Sequence, residues 1–168
     1  MDQAMLLEEF NGADRLEAIA ALRPCVDVTR WCEHLVDHRP YDSIEALEAE
    51  AAEAAAPFTQ AEVEAALAHH PRIGERAQGE SREASLSRSE QAGLAPDASV
   101  QDALRDGNRA YEDRFGRVFL IRAAGRTSEE ILAALQERLR NDDDTEERIV
   151  AEQLRQIALL RLKGAVVA

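Results

Sequence analysis

Aromatic side chains are scarce in this sequence: phenylalanine, tryptophan and tyrosine together make up 4% of its 168 residues. The apolar fraction of 45% is instead mostly alanine and leucine, which favour helices. Valine and isoleucine form no alternating runs, so strands are not predicted. We predict an all-α protein, a single-domain bundle of about seven or eight helices that spans residues 1–168.

Long apolar runs are also missing, and cysteine is rare. No run of 18 apolar residues could cross a membrane, and MDQAMLLEEF carries acids where a signal peptide would carry lysines. Cys25 and Cys32 lack the spacing to histidine that a zinc site requires, so we expect free, packed thiols. Together these features favour a cytoplasmic protein.

Positive charge is in the minority. Against 33 Asp and Glu the chain has 20 Lys and Arg, which gives a net charge of −13 and a pI of about 4.7. Such a surface repels phosphate backbones and anionic lipids, so we expect no nucleic-acid or membrane partner. An anionic small molecule would need a pocket that is locally cationic.

Helix starts are marked by pairs of a capping residue and an acid three positions later. These pairs are Asp42–Glu45, Thr59–Glu62, Ser87–Glu90, Thr127–Glu130 and Asp144–Glu147. Further helices are predicted at about residues 14–22, 27–37 and 99–114. The only strand-like run, FGRVFLI at 115–121, is interpreted as an extended segment or a buried helical turn.

Arg161 continues the apolar face of the last predicted helix. Val150, Leu154 and Ile157 follow each other at i, i+4 and i+7, and Arg161 stands four residues further on. An arginine near a helix C-terminus is ordinary, because it interacts with the helix dipole and its stem packs on apolar surface. A guanidinium that points inward, however, needs an anionic partner, either a structural acid or a ligand carboxylate.

His70 lies directly before Pro71, which ends the helix that begins at Thr59. An imidazole with an ordinary pKa of ~6.5 exchanges protons near neutral pH, although a histidine at a helix end is more often structural. A metal site at His69 and His70 is not expected, because adjacent side chains diverge and no third ligand follows at a suitable spacing.

Glu90 and its neighbours allow two interpretations. With Ser87 it forms a capping box, which is a structural feature. A helix mouth of this kind also binds polar or anionic ligands, and Gln91 adds a side chain that both donates and accepts hydrogen bonds. The pattern alone does not separate the two.

Several segments, in order along the chain, resemble one enzyme family. They are FNGADRLEAIAAL, RWCEHLVDHRPY, AHHPRIGER, LSRSEQAGL, GNRAYEDRFGRVFLI, ERLRND and IALLRL. Together they are similar to the 2-oxo-4-hydroxy-4-carboxy-5-ureidoimidazoline decarboxylases, over nearly the whole chain. The resemblance implies an all-α enzyme without metal or organic cofactor that decarboxylates the ureidoimidazoline to (S)-allantoin as the last step from urate. It also suggests a homodimer.

The resemblance also implies the site residues. His70 matches the catalytic histidine of the family, and Glu90 matches its partner carboxylate. The substrate-contacting positions match Pro71, Ser87, Gln91, Leu120, Ile121, Ala124 and Arg161, with main-chain groups acting in the segment 120–124. We therefore predict that Arg161 faces the same cavity as His70 and Glu90.

The substrate makes a cofactor-free reaction reasonable, because its ring C=N and carbonyl system accepts the electron pair that decarboxylation leaves on carbon. A non-catalytic helical binding module would explain the acidic surface and the caps equally well, but not the histidine and glutamate motifs. A hydrolase of 5-hydroxyisourate is disfavoured, because such proteins are rich in β-strands. A metallohydrolase would contain stoichiometric zinc.

Overall fold

The computed structural model describes residues 4–68, 86, 90 and 98–168. Within them lie eight α-helices: α1 (Leu7–Gly12), α2 (Arg15–Leu22), α3 (Thr29–Asp37), α4 (Ile44–Ala54), α5 (Gln60–Leu67), α6 (Ala98–Phe115), α7 (Ser128–Arg138) and α8 (Asp143–Ala165). Leu86 and Glu90 are also helical. The predicted all-α fold of seven or eight helices is confirmed, and no helix of the described ranges is long and apolar enough to cross a membrane.

The chain divides into two compact units. The first unit comprises Met1–Ala66 together with Leu154–Ala168, and the second comprises Leu67–Gln153. Helix α8 contributes residues to both. The domain boundaries 1–168 stay a prediction.

In the first unit, helices α1 to α5 and the end of α8 bury an apolar core. Its largest fully buried side chains are Phe10, Leu22, Trp31, Leu35, Leu47, Leu154 and Leu162. Trp31 of α3 joins the neighbouring helix, since its indole N–H donates to the Ala51 carbonyl of α4 at 3.0 Å. Two short strands, β1 (Met5–Leu6) and β2 (Val166–Val167), pair in parallel, with Met5 opposite Val166. Cys25 and Cys32 are buried and form no disulfide with each other, as expected.

In the second unit, α6 packs against α7 around a separate cluster. Its buried members are Leu104, Tyr111, Phe119, Ile121, Ala123, Ile131 and Leu135. The two helices approach closely at Gly107, where a Cβ atom would come within 2.5 Å of Leu135 Cδ2. Between α6 and α7, residues 116–127 contain neither helix nor strand, so the helical interpretation of FGRVFLI beyond Phe115 is wrong.

Two of the predicted caps are confirmed. Thr59 and Glu62 exchange hydrogen bonds at 3.2 and 2.9 Å, and Thr127 and Glu130 do the same at 3.1 and 2.9 Å. Ser87 lies outside the described residues.

The caps predicted at Asp42 and Asp144 are wrong by one and two positions. Ser43 caps α4 by accepting a bond from Ala46 N, and Asp142 accepts one from Thr145 N at the start of α8. At the start of both helices, neighbouring residues can each accept a hydrogen bond from the first turn, and the backbone geometry decides which of them does so. Helix α1 was not predicted, since six residues are too few for an apolar period to register.

Candidate active site

The predicted site residues fall into three groups. His70, Pro71, Ser87 and Gln91 lie outside the described residues. Glu90 is helical and half-buried, and in the same unit Leu120 and Ile121 are buried and Ala124 is half-buried in a turn. Arg161, in the other unit, is 4% exposed. That it shares a cavity with His70 and Glu90 stays a prediction.

The segment that contains Leu120, Ile121 and Ala124 is held in place by alternating side chains. Phe119, Ile121 and Ala123 all enter the core cluster formed with α6 and α7. Side chains two positions apart point the same way in an extended chain, so this pattern anchors one side of the segment. Its main chain is thereby fixed although it joins no sheet.

A buried arginine fixes the Leu120 carbonyl. Nη1 of Arg138, at the end of α7, donates to this oxygen at 2.7 Å. Nε of the same guanidinium donates to Glu146 Oε1 at 2.6 Å, and the ion pair is almost fully shielded from water. The guanidinium also lies over the Phe119 ring, 4.5 Å from its centroid, which is a favourable cation–π distance.

Glu146 is the centre of this network. It is fully buried, and its carboxylate accepts further bonds from the Tyr111 hydroxyl at 2.9 Å and from Asn141 Nδ2 at 3.2 Å. Burial raises the pKa of Tyr111 to about 12, so its hydroxyl stays protonated and donates to Glu146 at physiological pH. A buried carboxylate is tolerated when its oxygens are satisfied in this way.

Two further bonds hold the main chain beyond Leu120. The Arg122 N–H donates to Gln153 Oε1 at 2.9 Å, and Arg126 Nε donates to the Arg122 carbonyl at 2.9 Å. By contrast, the N–H groups of Ile121 and Ala124 donate to no partner within the described part of the chain. Fixed N–H donors beside a buried apolar cluster suit the carbonyl or carboxylate oxygens of a small polar ligand.

Arg161 points inward, as the apolar stripe indicated. Val150, Leu154 and Ile157 are all buried, and Arg161 follows them on the same face of α8. Its Nη1 donates to the Pro24 carbonyl at 3.0 Å. A guanidinium carries several N–H donors, and this bond occupies one of them.

The Arg138–Glu146 pair was not predicted, although the sequence carries a signal for the arginine. Ile131, Leu135 and Arg138 repeat on α7 the spacing that drew attention to Arg161 on α8. The partner could not be identified in the same way, because Glu146 stands in the acidic run from Asp142 to Glu147 and any member of it could have faced inward.

Comparison with known proteins identifies the family. The sequence model of the OHCU decarboxylases (OHCU is 2-oxo-4-hydroxy-4-carboxy-5-ureidoimidazoline) matches residues 11–163. The chain belongs to the OHCU decarboxylase family. This confirms the predicted family and the predicted enzyme class, a carboxy-lyase of urate degradation, over the non-catalytic binding module.

Individual OHCU decarboxylases from distant organisms are similar to the chain. The enzyme of Haloferax volcanii is 25% identical over 94% of both chains, and that of Amia calva is 34% identical over 76% of this chain and 75% of its own. A uric acid degradation bifunctional protein of Bacillus sp. (strain TB-90) is 28% identical over 95% of this chain. The chain spans about a third (32%) of that protein's length.

Two solved structures share the fold. A crystal structure of OHCU decarboxylase in the presence of (S)-allantoin superposes with a TM-score of 0.68 and 26% identity, over 82% of this chain and 91% of its own. A crystal structure of (S)-allantoin synthase gives 0.71 over 96% of this chain and 54% of its own. At 18% identity the second likeness concerns the fold alone.

Proposed function

We propose that this protein converts OHCU to (S)-allantoin and carbon dioxide. The reaction uses the protein's own side chains, without metal or organic cofactor. The match of the family model to residues 11–163 is the observation that carries this proposal, since that range includes every predicted site residue. The buried segment around Leu120, with its fixed main chain, supplies a rigid wall for a small polar ligand.

In the proposed reaction, the bond between the ring carbon and its carboxylate breaks and carbon dioxide leaves. The electron pair forms a C=C bond to the neighbouring ring carbon, which bears the ureido group, and the C=N bond of that carbon takes up the electrons with a proton on nitrogen. The hydroxyl group on the first carbon then loses its proton and becomes the carbonyl, while the ureido-bearing carbon is protonated on one face. His70 exchanges protons with the substrate, because an imidazole gains and loses a proton near neutral pH. Glu90 orients His70 and favours its protonated form.

Substrate binding is assigned to Arg161 and to groups around His70. A guanidinium holds carboxylate or carbonyl oxygens through charge-assisted hydrogen bonds, which offsets the repulsion expected from a chain of net charge −13. Main-chain groups of Leu120, Ile121 and Ala124 line the pocket and contact the substrate. Pro71, Ser87 and Gln91 complete the contacts.

The activity test generates the unstable substrate in place from urate, with urate oxidase and 5-hydroxyisourate hydrolase, and follows allantoin by circular dichroism. Wild-type protein is expected to speed the appearance of optically active (S)-allantoin. His70→Ala is expected to lower turnover at least ~10²-fold, whereas the neighbouring His69→Ala serves as the matched control. Racemic product at the uncatalysed rate with wild-type protein, or near-native turnover by His70→Ala, would contradict the proposal.

Glu90 is tested separately, because it also matches a helix cap. Glutamine serves at the same capping position, so Glu90→Gln keeps the cap while it removes the charge. If Glu90 orients and charges His70, thermal stability is preserved and activity collapses. Parallel losses of stability and activity would leave only a structural role for Glu90.

The finer expectations of a homodimer and of the cytoplasm are part of the proposal. Buried cysteines that form no disulfide with each other, Cys25 and Cys32, suit a reducing compartment. Sedimentation of the purified protein tests the dimer, and a single species at the monomer mass of 18.6 kDa would refute it. Fractionation of the source cells tests the compartment.

A further inference from the structure

Three side chains that have no part in the proposed reaction lie together in the first unit: His34, His38 and Glu50. One nitrogen of each histidine and one carboxylate oxygen lie within 4.8 Å of one another, and no other such group occurs among the residues that the structure describes. We propose that these side chains form a binding site for a divalent transition-metal ion, zinc above all, that joins helices α3 and α4.

The helix places both histidines on one face. His34 lies in the last turn of α3, and His38 follows its final residue while its N–H still bonds to the His34 carbonyl at 3.2 Å. Their rings stack with centroids 4.1 Å apart. Two histidines at i and i+4 form the helical pair that many zinc proteins use. Glu50 adds the third ligand from α4, which packs on α3.

A hydrogen bond to the main chain sets the tautomer of His38 that can bind a metal ion. His38 Nδ1 lies 2.7 Å from the His34 carbonyl oxygen, which only accepts, so Nδ1 carries the proton and the lone pair is on Nε2. Metal-ligating histidines are oriented in this way by a carbonyl or carboxylate behind the ring.

The hydrogen bond between His34 and Glu50 occupies the two atoms that would bind a metal ion, so the ion would take the place of the shared proton. His34 Nε2 lies 2.7 Å from Glu50 Oε1. Within the described residues Glu50 forms no ion pair with lysine or arginine, so its charge is not already balanced by a fixed cation. Two imidazoles and a carboxylate are the ligand types that zinc prefers, with water completing the tetrahedron.

Only small movements separate this geometry from a zinc site. Zinc bonds of about 2.0–2.1 Å place tetrahedral ligand atoms about 3.3 Å apart. The observed separations run from 2.7 Å to at most 4.8 Å, on either side of that value. The His38 side chain is exposed, so a small adjustment of its ring does not disturb the core.

The experiment is a titration of the metal-stripped, full-length protein with zinc, and with cobalt as a spectroscopic probe. We expect one equivalent to bind with visible cobalt absorption bands of nitrogen and oxygen coordination. His38→Gln and Glu50→Gln are each expected to weaken binding at least about tenfold. Glu45→Gln, an exposed acid on the same helix, is the matched control and should bind as the wild type does.

Zinc should also raise the melting temperature of the wild type, because a ligand that binds only the folded chain stabilises it, and this gain should vanish in His38→Gln. Equal zinc affinity in wild type and His38→Gln, or no uptake at all, would overturn the proposal. So would binding that is lost in His69→Ala instead. Decarboxylase activity of the zinc-free protein is measured in parallel. Full activity without zinc separates this site from the catalytic metal of a metallohydrolase, and failure of this site leaves the proposed reaction untouched.

Discussion

Arg138 and Arg161 are the two arginines that are buried in the described part of the chain. Each stands at the end of an apolar helical stripe, and each donates to a main-chain carbonyl, that of Leu120 or of Pro24. A carbonyl satisfies one N–H of a guanidinium without neutralising its charge. Glu146 neutralises Arg138, and in our proposal Arg161 binds the substrate.

Replacing Arg138 by methionine should lower the free energy of unfolding of the second unit. The change leaves Glu146 buried without its cation, which costs about 3–5 kcal/mol of the free energy of unfolding. Adding Glu146→Gln should recover part of this loss, because the unpaired charge is removed. Urea denaturation measures both effects, with the exposed Arg140→Met as control. If Arg138→Met costs no more than that control, the pair does not hold the segment.

Replacing Arg161 by lysine keeps the charge but removes the planar fork of donors. We expect roughly 2–5 kcal/mol of transition-state stabilisation to be lost, measured as kcat/KM well below the melting temperature. Arg155→Lys is the matched control, since Arg155 also lies on α8 and donates to a carbonyl, that of Ala52 at 3.3 Å. Equal kcat/KM in the two variants would reduce Arg161 to a structural role. Allantoin should protect the wild type against unfolding more than Arg161→Lys.

At the scale of elements, the contact between α6 and α7 depends on a missing side chain. Gly107→Ala should gain up to ~1 kcal/mol of helix propensity but lose about 1–3 kcal/mol, because the new methyl group meets the fully buried Leu135. We expect a net loss of stability. Gly164→Ala on α8, where a Cβ meets nothing within 4 Å, should be neutral or stabilising. Calorimetric melting of both variants checks this, and a more stable Gly107→Ala would show that Leu135 yields freely.

The start of α5 carries a pH-dependent link to α3. Burial acts to raise the pKa of Glu62, but its bonds to Arg30 and Thr59 outweigh this and lower the pKa below its usual value. Glu62 therefore stabilises the fold fully above the unfolded pKa of about 4.3 and loses this effect as the pH falls through the lower folded value.

Comparison of wild type with Glu62→Gln tests this link. The wild type should be the more stable at pH 7, and the difference should shrink below about pH 4. Urea midpoints at a series of pH values give the answer. A stability difference that does not change with pH would contradict a role of the Glu62 charge, and no difference at any pH would leave only the cap, which glutamine keeps.

At the scale of the whole molecule, the net charge of −13 works against compactness. Most described ion pairs are exposed and contribute little, among them those of Arg15 with Glu33 and Asp37. Added salt should therefore weaken the repulsion among the excess acidic groups more than it weakens the attraction within the ion pairs. We expect the free energy of unfolding to rise from low salt to ~0.5 M sodium chloride. A fall would mean that the ion pairs dominate, and an uncharged osmolyte at equal osmolarity is the control.

Much of the fold could be predicted from the sequence, because the information is local. Helix α2 and helix α7 begin where a side chain caps the backbone, at Asp14 and at Thr127, and both were predicted within a residue. The predictions failed where neighbouring residues offered the same chemistry, as at Ser43 and Asp142, or where an element was too short for periodicity to appear, as in α1.

The features of the candidate site also fall into those that local sequence predicted and those that it did not. The inward direction of Arg161 follows from helical spacing and is confirmed, whereas its carbonyl partner Pro24 is 137 positions away in the sequence. The roles of His70 and Glu90 depended on resemblance, because spacing alone fits a helix cap equally well. Nothing local pointed to Glu50 as a neighbour of His34, since the two lie on different helices.

The sequence by itself determined the helices, the apolar faces, the family and the residue types available for chemistry, because helix periods and caps act within a few residues. Only the tertiary structure decided which acid pairs with Arg138, that the Leu120 carbonyl is held by it, and that His34, His38 and Glu50 meet. These contacts join separate elements. Their formation depends on how the helices pack, and packing is set by the whole set of buried side chains rather than by any one segment.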